Sequence, residues 1–256
     1  MPWPRLARYC IWGYGRAVAW LLGLFFTIRV HERPDFPQSL PRIFVFNHGS
    51  LLDLFLITLV APPDSVCLAR QWPFSVPLFG PVMRLGEYIN VERQSGQELL
   101  ERARTLLHKG ISLGVFPEGT RTRTNTLGRF RSGAFKLSLE TGVSIRPVSI
   151  IGTCSILPPG QWKLQRGEIH ISVLEDISPV PYVVDMLGHL AMCRYTRKRM
   201  AIAGLSSPKT SCENGARNES HSDSCYDATD SDRHIRLLPH SGSTQHPLKQ
   251  HPGHTG

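Results

Sequence analysis

The stretch Phe46-Asn47-His48-Gly49-Ser50-Leu51-Leu52-Asp53 links two apolar segments of the chain. Residues 43–46 are four consecutive large apolar side chains, which predicts a short buried strand. Gly49 and Ser50, followed by mostly apolar residues up to position 57, predict a helix that begins directly behind this strand. His48 is therefore expected at the carboxyl end of a strand and beside the amino terminus of a helix.

A carboxylate five residues later gives this histidine a candidate partner. Asp53 is expected about one and a half turns into the predicted helix, and a bend between strand and helix would bring its carboxylate to an imidazole nitrogen. Such a contact fixes the tautomer of the ring and leaves the other nitrogen free as a base. For an isolated pair of this spacing, a purely structural contact is the alternative.

Three later blocks also follow or form predicted strands. They are Gly86-Glu87-Tyr88-Ile89-Asn90-Val91-Glu92-Arg93, Phe116-Pro117-Glu118-Gly119-Thr120-Arg121 and Ile145-Arg146-Pro147-Val148. Strands that alternate with helices predict an α/β sheet covered by helices on both faces, in which ligands collect beyond the carboxyl ends of the strands. His48, Arg93 and Glu118 lie just past predicted strand ends, so we expect them to converge on one pocket.

The remaining segments complete this α/β pattern. Predicted strands cover residues 65–69, 86–91, 111–116, 145–151 and 168–174, and predicted helices cover 95–110, 133–140 and 182–203. Ser95 and Glu98 predict a capping box at the start of the first of these helices. Residues 71–80 are aromatic and interrupted by prolines, which excludes one regular helix and predicts an apolar lid, a membrane-facing wall or a loop packed on the core.

The four ordered blocks, from His48 to Asp53 onward, resemble the signature of the glycerolipid acyltransferases, and particularly the 1-acylglycerol-3-phosphate acyltransferases. The resemblance covers about residues 40–175, and its most specific parts are the His-x-x-x-x-Asp and Pro-Glu-Gly-Thr-Arg motifs. It implies a fold like that of glycerol-3-phosphate acyltransferase, with a mixed central sheet, helices on both faces and an N-terminal membrane-associated helix. Residues 31–204 are expected to form this acyltransferase domain.

The resemblance also implies an activity, with His48 as general base and Asp53 as the group that orients it. A fatty acyl group would move from acyl-CoA or an acyl carrier protein to the free sn-2 hydroxyl of 1-acylglycerol 3-phosphate, giving phosphatidate. No serine or cysteine stands in a nucleophile-elbow pattern, which favours direct attack by the acceptor over an acyl-enzyme. No cofactor or metal is expected, because the thioester of the donor already carries the activation. Another lysophospholipid, a lyso-aminolipid acceptor and a non-catalytic membrane-binding relative are the alternatives.

The residues expected to bind substrate follow from side-chain chemistry and from the same resemblance. A guanidinium grips phosphate through two hydrogen bonds, and a glycine lets the backbone approach an anion. Glu118 is expected to accept a hydrogen bond from a glycerol hydroxyl or to pair with an arginine. By resemblance, the glycerol phosphate would be bound by Arg93, Glu118, Gly119, Thr120 and Arg121, while Pro147 would help to shape the acyl-donor side. Surface ion pairs are the alternative for the arginines, and a structural turn is the alternative for Pro147.

Charge and cysteine content restrict the partners further. The formal net charge is +9, and residues 1–204 carry 24 Lys and Arg against 14 Asp and Glu, whereas residues 205–256 carry 5 against 6. A basic folded part suits an anionic membrane surface or a phosphorylated substrate, and no nucleic-acid-binding motif accompanies it. The six cysteines show no Cys-x-x-Cys spacing, which predicts reduced thiols rather than a zinc site or disulfides.

The two ends of the chain differ strongly in composition. Residues 1–30 are predicted to be an apolar helix that anchors the protein in one leaflet of the cell inner membrane or of another cytoplasm-facing membrane, with a buried core helix as the alternative. The uncharged part after Arg16 is shorter than the roughly 20 residues that a spanning helix needs. Residues 205–256 are rich in Ser, His, Asp and Gly, which predicts a disordered polar tail.

Overall fold

The computed structural model describes residues 2–31, 40–122 and 126–205. The strands are β1 (Thr27–His31), β2 (Ile43–Phe46), β3 (Ser65–Ala69), β4 (Ile89–Asn90), β5 (Ser112–Val115), β6 (Ile145–Ile151) and β7 (Glu168–Val173). The helices are α1 (Trp3–Gly23), α2 (Asp53–Leu56), α3 (Gln71–Phe74), α4 (Phe79–Leu85), α5 (Gly96–His108), α6 (Gly133–Thr141), α7 (Thr153–Ile156) and α8 (Gly188–Leu205). Short 3-10 helices cover Ile57–Leu59 and Val180–Tyr182.

The seven strands form one mixed sheet in the order β1-β7-β6-β2-β5-β3-β4. The five strands from β6 to β4 are parallel to one another, β7 is antiparallel to β6, and β1 is parallel to β7. The mixed sheet predicted for this chain is therefore confirmed. We call the side on which the five parallel strands end the carboxyl edge, and β7 and β1 begin at this same edge.

Side-chain alternation along the strands divides the apolar core into two layers. In β2, Ile43 and Val45 pack with residues of α5, α6 and α8, whereas Phe44 and Phe46 pack with residues of α1, α2 and α7. All four side chains are buried, because a strand in the middle of a doubly covered sheet has no solvent face. The expectation of helices on both faces is confirmed.

Several helix ends follow their local sequence. Ser95 and Glu98 form the expected capping box at the start of α5, with each side chain bonded to the backbone of the other residue. Gly142 ends α6 in the left-handed conformation with φ of 72°. Residues 71–80 are divided into α3 and the start of α4, so the prediction that they do not form one regular helix is confirmed.

The N-terminal segment differs from the prediction of one apolar helix over residues 1–30. Helix α1 ends at Gly23, and Thr27–His31 form edge strand β1, which pairs with β7 from Thr27 opposite Glu168 to His31 opposite Ser172. Helix α1 packs closely on the domain at Gly15, where a Cβ atom would stand 2.5 Å from Cγ2 of Thr58. No helix among the described residues is long and apolar enough to cross a membrane.

Three other predicted boundaries also shift. The strand expected over residues 86–91 shortens to β4, because α4 continues to Leu85 and Glu87 has a positive φ of 64°. The last helix begins at Gly188 rather than at residue 182, after a 3-10 turn. The polar tail predicted over residues 205–256 lies outside the described residues from position 206 onward.

Arg8 fastens α1 to two loops of the domain. This buried guanidinium donates hydrogen bonds to Asp64 at 2.6 Å, to Glu87 at 2.9 Å and to the carbonyl of Gly86 at 3.4 Å. Burial alone would raise the pKa of Glu87, but the cations of Lys109 and Arg8 lower it below its ordinary value of 4.5. A lowered carboxyl pKa stabilises the fold above about pH 4.5, and this contribution is lost as the pH falls through the folded-state pKa.

We expect Arg8→Ala to lower the free energy of unfolding at pH 7 by about 3 kcal/mol, because it leaves two carboxylates without their shared buried cation. Urea unfolding measures this change. The matched control is Arg5→Ala, since Arg5 is half-exposed and contacts only the rim of the same cluster, at 3.2 Å from Asp64; its cost should stay below about 1 kcal/mol. Equal losses in the two variants would contradict the role of Arg8.

Candidate active site

His48 lies at the carboxyl edge, two residues after the end of β2. Its Nδ1 atom is 3.0 Å from Oδ2 of Asp53, so the predicted contact between the two side chains is present. The predicted position of Asp53 is wrong, however, because Asp53 is the first residue of α2 and not one and a half turns into it. The backbone of residues 49–52 forms a turn that folds back over the carboxylate instead of starting the helix.

The Asp53 carboxylate explains why the helix starts late. Its Oδ2 atom accepts hydrogen bonds from the backbone N–H groups of Gly49 and Ser50, each at 2.8 Å, as well as from His48. Ser50 is therefore not the helix cap that its position suggests; its hydroxyl donates to the carbonyl of Leu157 and accepts from the N–H of Leu52. The turn of residues 49–52 is therefore stabilised by the buried carboxylate of Asp53.

This arrangement assigns the hydrogen on the ring of His48. A carboxylate only accepts hydrogen bonds, so Nδ1 is the donor and Nε2 carries the lone pair. The ring lies against Phe116, with 4.4 Å between the ring centroids, and its side chain keeps 16 % exposure. Asp53 is fully buried, and its second oxygen, Oδ1, has no hydrogen-bond partner among the described residues. The pair has the geometry of a general base with its orienting acid.

The turn after β5 is joined directly to the backbone of His48. Glu118 is buried, and its Oε1 accepts the N–H of His48 at 3.1 Å while its Oε2 accepts the N–H of Gly128 at 2.9 Å. The carbonyl of His48 accepts the N–H of Thr122 at 2.8 Å. Among the described residues Glu118 forms no ion pair with an arginine, and each of its oxygens accepts one backbone amide. Its expected contact with a glycerol hydroxyl stays a prediction.

Burial shifts the pKa of the Glu118 carboxyl group. Desolvation raises the pKa of Glu118 above its ordinary value of 4.5, and the amide hydrogen bonds from His48 and Gly128 offset this only in part. Glu118 thus holds two segments together, the turn after β2 and the loop that leads to α6. In this structure it positions the backbone of His48.

The cationic part of the site lies on the same turn. Gly119 has φ of 71°, and a Cβ atom there would stand 3.2 Å from Nε of Arg131, so the Arg131 guanidinium lies against this glycine. Thr120 and Arg121 are exposed beside it. Arg131 is not among the site residues predicted from the sequence. The position of Arg131 is set by its backbone N–H, which donates to the carbonyl of Pro117 at 2.9 Å. Sequence spacing does not reveal this contact.

Arg93 also lies at the carboxyl edge, but not next to His48. It follows β4, which is three strands from β2, or about 14 Å at the usual strand spacing. The neighbouring Glu92 accepts hydrogen bonds from Arg70 at 2.7 Å and from the N–H of Gln71 at 2.9 Å, so it is turned away from Arg93. Arg93 is exposed and free of ion pairs to any described residue. Its side chain is available to an anion at the far end of this edge.

Pro147 occupies a different place from the predicted one. It is buried within β6 opposite Val45, and its carbonyl accepts the N–H of Leu174 at 2.9 Å. It lies below the carboxyl edge, inside the sheet, so a direct contact with an acyl donor is not supported. The alternative of a structural turn is also wrong, because the residue belongs to a regular strand.

A narrow cleft borders the turn of His48 on the side of α7. It is lined by Asn47, Gly49, Thr122, Thr126, Leu127 and residues 150–154. The side chain of Asn47 bridges β2 to β6 by accepting the N–H of Ile150 at 2.7 Å and donating to its carbonyl at 2.8 Å. No group of three or more His, Cys, Asp or Glu side chains suited to a metal ion occurs among the residues with described positions.

The chain is similar to several known acyltransferases. Residues 27–151 match the family model described as Acyltransferase. A 1-acyl-sn-glycerol-3-phosphate acyltransferase from Cocos nucifera is 34 % identical, with 74 % of this chain and 63 % of the relative covered. The protein of the same name from Haemophilus influenzae is 26 % identical, with 70 % and 77 % covered. The crystal structure of the 1-acyl-sn-glycerophosphate acyltransferase from Thermotoga maritima has a TM-score of 0.65 at 24 % identity, covering 78 % of this chain and 80 % of that one, and shows the same fold.

The chain does not span the whole of its plant relatives. It covers 63 % of the Cocos nucifera protein and 44 % of the chloroplastic enzyme LPAT1 of Arabidopsis thaliana, which is 30 % identical. The family model begins at Thr27, the first residue of β1. The matched region therefore includes both the edge strand and the turn that carries Glu118.

We expect Glu118→Gln to change the pH dependence of stability. Because the pKa of Glu118 is raised in the folded state, its contribution is fully present below about pH 4.5 and is lost as the pH rises through the raised pKa. The free energy of unfolding of the native protein should therefore fall relative to that of the variant between pH 4.5 and pH 7. Urea unfolding across this range measures the difference. Glu175→Gln, at an exposed carboxylate, is the control, and parallel pH profiles for native protein and Glu118→Gln would contradict the assignment.

Proposed function

We propose, from the match of residues 27–151 to the acyltransferase family model, that the chain acylates the free sn-2 hydroxyl of 1-acylglycerol 3-phosphate to give phosphatidate. The acyl donor is acyl-CoA or an acyl carrier protein. The observation that carries the proposal is the contact between His48 and Asp53, together with the hydrogen bond that joins the backbone of His48 to Glu118 at the same sheet edge.

The proposed reaction needs only the imidazole as a proton carrier. Nε2 of His48 takes the proton of the acceptor hydroxyl as its oxygen attacks the thioester carbonyl. The tetrahedral intermediate collapses with cleavage of the carbon–sulfur bond, and the imidazolium returns the proton to the leaving thiolate. Asp53 holds Nδ1–H and stabilises the transient positive charge, because its buried carboxylate lies 3.0 Å from that nitrogen.

The acceptor phosphate is assigned to the cations along the carboxyl edge. Arg131 lies against Gly119, Arg121 is exposed two residues further along the chain, and Arg93 extends the positive charge toward β4. Guanidinium groups and exposed turn amides both favour a phosphomonoester dianion. Thr120 joins this set as an exposed hydroxyl next to Gly119, whereas Glu118 serves by holding the turn and Pro147 by forming the sheet.

We also propose that the protein associates with a membrane surface through α1 and the segment after α3. Large apolar side chains are exposed on α1 and in the turn that follows it: Trp3, Tyr14, Trp20, Leu21, Leu24 and Phe25. Tyr14 packs on Phe79 of α4 with 6.0 Å between ring centroids, and Trp72, Val76 and Leu78 near it are exposed as well. Aromatic and aliphatic side chains combined on one surface favour the interfacial region of a bilayer.

His48→Ala should lower kcat by about 100- to 10,000-fold, because the proton acceptor is lost. The assay follows labelled acyl transfer from acyl-CoA to lysophosphatidate by purified protein. His108→Ala, at an exposed histidine in the last turn of α5, is the matched control and should keep full activity. Retained turnover in His48→Ala, with an unchanged unfolding transition, would refute the proposed mechanism.

Arg93→Ala should raise KM for lysophosphatidate about tenfold, with a smaller change in kcat, because one charge-assisted hydrogen bond to phosphate is lost. The same assay with lysophosphatidylcholine should show a smaller effect, since its phosphate is a diester with a cationic substituent. Arg102→Ala, at an exposed position of α5, is the control. An unchanged KM would remove Arg93 from the site, and faster turnover of lysophosphatidylcholine by the native protein would favour the alternative acceptor.

A further inference from the structure

The loop between α7 and β7 projects from the carboxyl edge without burying its own tip. Residues 160–166 are all exposed, and Trp162 is 89 % exposed. The base of the loop is closed by two backbone hydrogen bonds, from Gln165 to the carbonyl of Ile156 at 2.8 Å and from Gln161 to that of Pro158 at 3.1 Å. A tryptophan is usually among the more buried residues of a protein, so its presentation on an anchored loop needs an explanation.

The position of this loop connects it to both the site and α1. Its first residues follow α7, where Cys154 lies against Gly49 of the His48 turn. Its last residues lead into Glu168, which pairs with Thr27, and Thr27 directly follows the exposed Phe25 and its neighbour Phe26. The apolar end of α1 and the loop of Trp162 are therefore adjacent at the carboxyl edge, and Ile156 packs in the same core layer as Ala19 of α1.

This loop differs in charge from another strongly exposed apolar segment of the described chain. Residues 160–166 include Lys163 and Arg166 and no acidic residue. The second segment, Val183 to Leu187, includes Met186 at 96 % exposure but carries Asp185 and no cation. That segment lies just after Ile177, which pairs with Ile145 at the start of β6, so it belongs to the opposite end of the sheet. A tryptophan with flanking cations is suited to the headgroup region of an anionic bilayer, and the acidic segment is not.

We propose that the loop of residues 158–166 is a further membrane contact, which inserts Trp162 among the lipid headgroups of an anionic bilayer while Lys163 and Arg166 meet lipid phosphates. This inference rests on the proposed function, because the benefit of the contact is to hold the His48 site against the membrane surface that supplies a lipid acceptor. The apolar end of α1 and this neighbouring loop together then fix the orientation of the carboxyl edge toward the bilayer.

The test measures binding of the purified full chain to phosphatidylcholine vesicles with and without phosphatidylglycerol, in the absence of substrate. Trp162→Ala should weaken partitioning to both kinds of vesicle about tenfold, because one large apolar side chain no longer enters the interface. Lys163→Gln and Arg166→Gln should each weaken binding about fivefold, only on vesicles with phosphatidylglycerol. Quenching of tryptophan emission by brominated lipid should also be smaller in Trp162→Phe than in the native protein.

Met186→Ala is the matched control, because it removes an equally exposed apolar side chain at the opposite end of the sheet. It should leave binding to both vesicles unchanged, and a loss equal to that of Trp162→Ala would overturn the proposal. Unchanged vesicle binding in Trp162→Ala would also overturn the proposal. If binding were unchanged and turnover fell only with an acyl carrier protein as donor, the loop would instead contact that protein. Turnover of a water-soluble short-chain acceptor should be normal in Trp162→Ala. If the native protein does not turn over this acceptor either, the acyltransferase proposal fails, independently of the membrane contact.

Discussion

The buried carboxylate of Asp53 is the constraint on which the rest of the site depends. One oxygen accepts the imidazole Nδ1–H and two successive backbone N–H groups, so the ring and the turn that carries it are fixed by the same atom. The cost of burying a charge is offset by three donors directed at it. Because that turn then cannot rearrange independently, the backbone of His48 is available in a fixed position for contacts with the turn after β5.

Those contacts turn two separate segments into one site. Glu118 accepts the N–H of His48, and the N–H of Thr122 donates to the carbonyl of His48, so both backbone groups of the histidine are satisfied by the segment that follows β5. The Pro-Glu-Gly-Thr-Arg turn thereby aligns the proposed base with the cations at Gly119. The presence of Glu118 among these cations has a structural reason: it acts through the backbone of His48, and substrate need not touch it.

The parts of the fold that the sequence predicted are those whose signal is local. Strand β2 was readable because a strand buried on both faces is a continuous apolar run, and α5 was readable from its capping box and helical spacing. Strand β1 was missed because its alternation is short, it directly follows an apolar helix, and its partner β7 is about 140 residues away in the chain. The start of α2 was misplaced because the amides of Gly49 and Ser50 bond to a side chain rather than to the helix.

The chemical groups of the site, namely an imidazole, its acid and a set of arginines after strand ends, were determined by the sequence alone. Only the tertiary structure decided which of them meet: Glu118 at the backbone of His48, Arg131 at Gly119, Arg93 at the far strand and Pro147 inside the sheet. The physical reason is that strand order and the aim of each loop depend on burial shared between distant segments. A side chain's partner at a sheet edge is set by which strands pack side by side, and sequence spacing does not encode that.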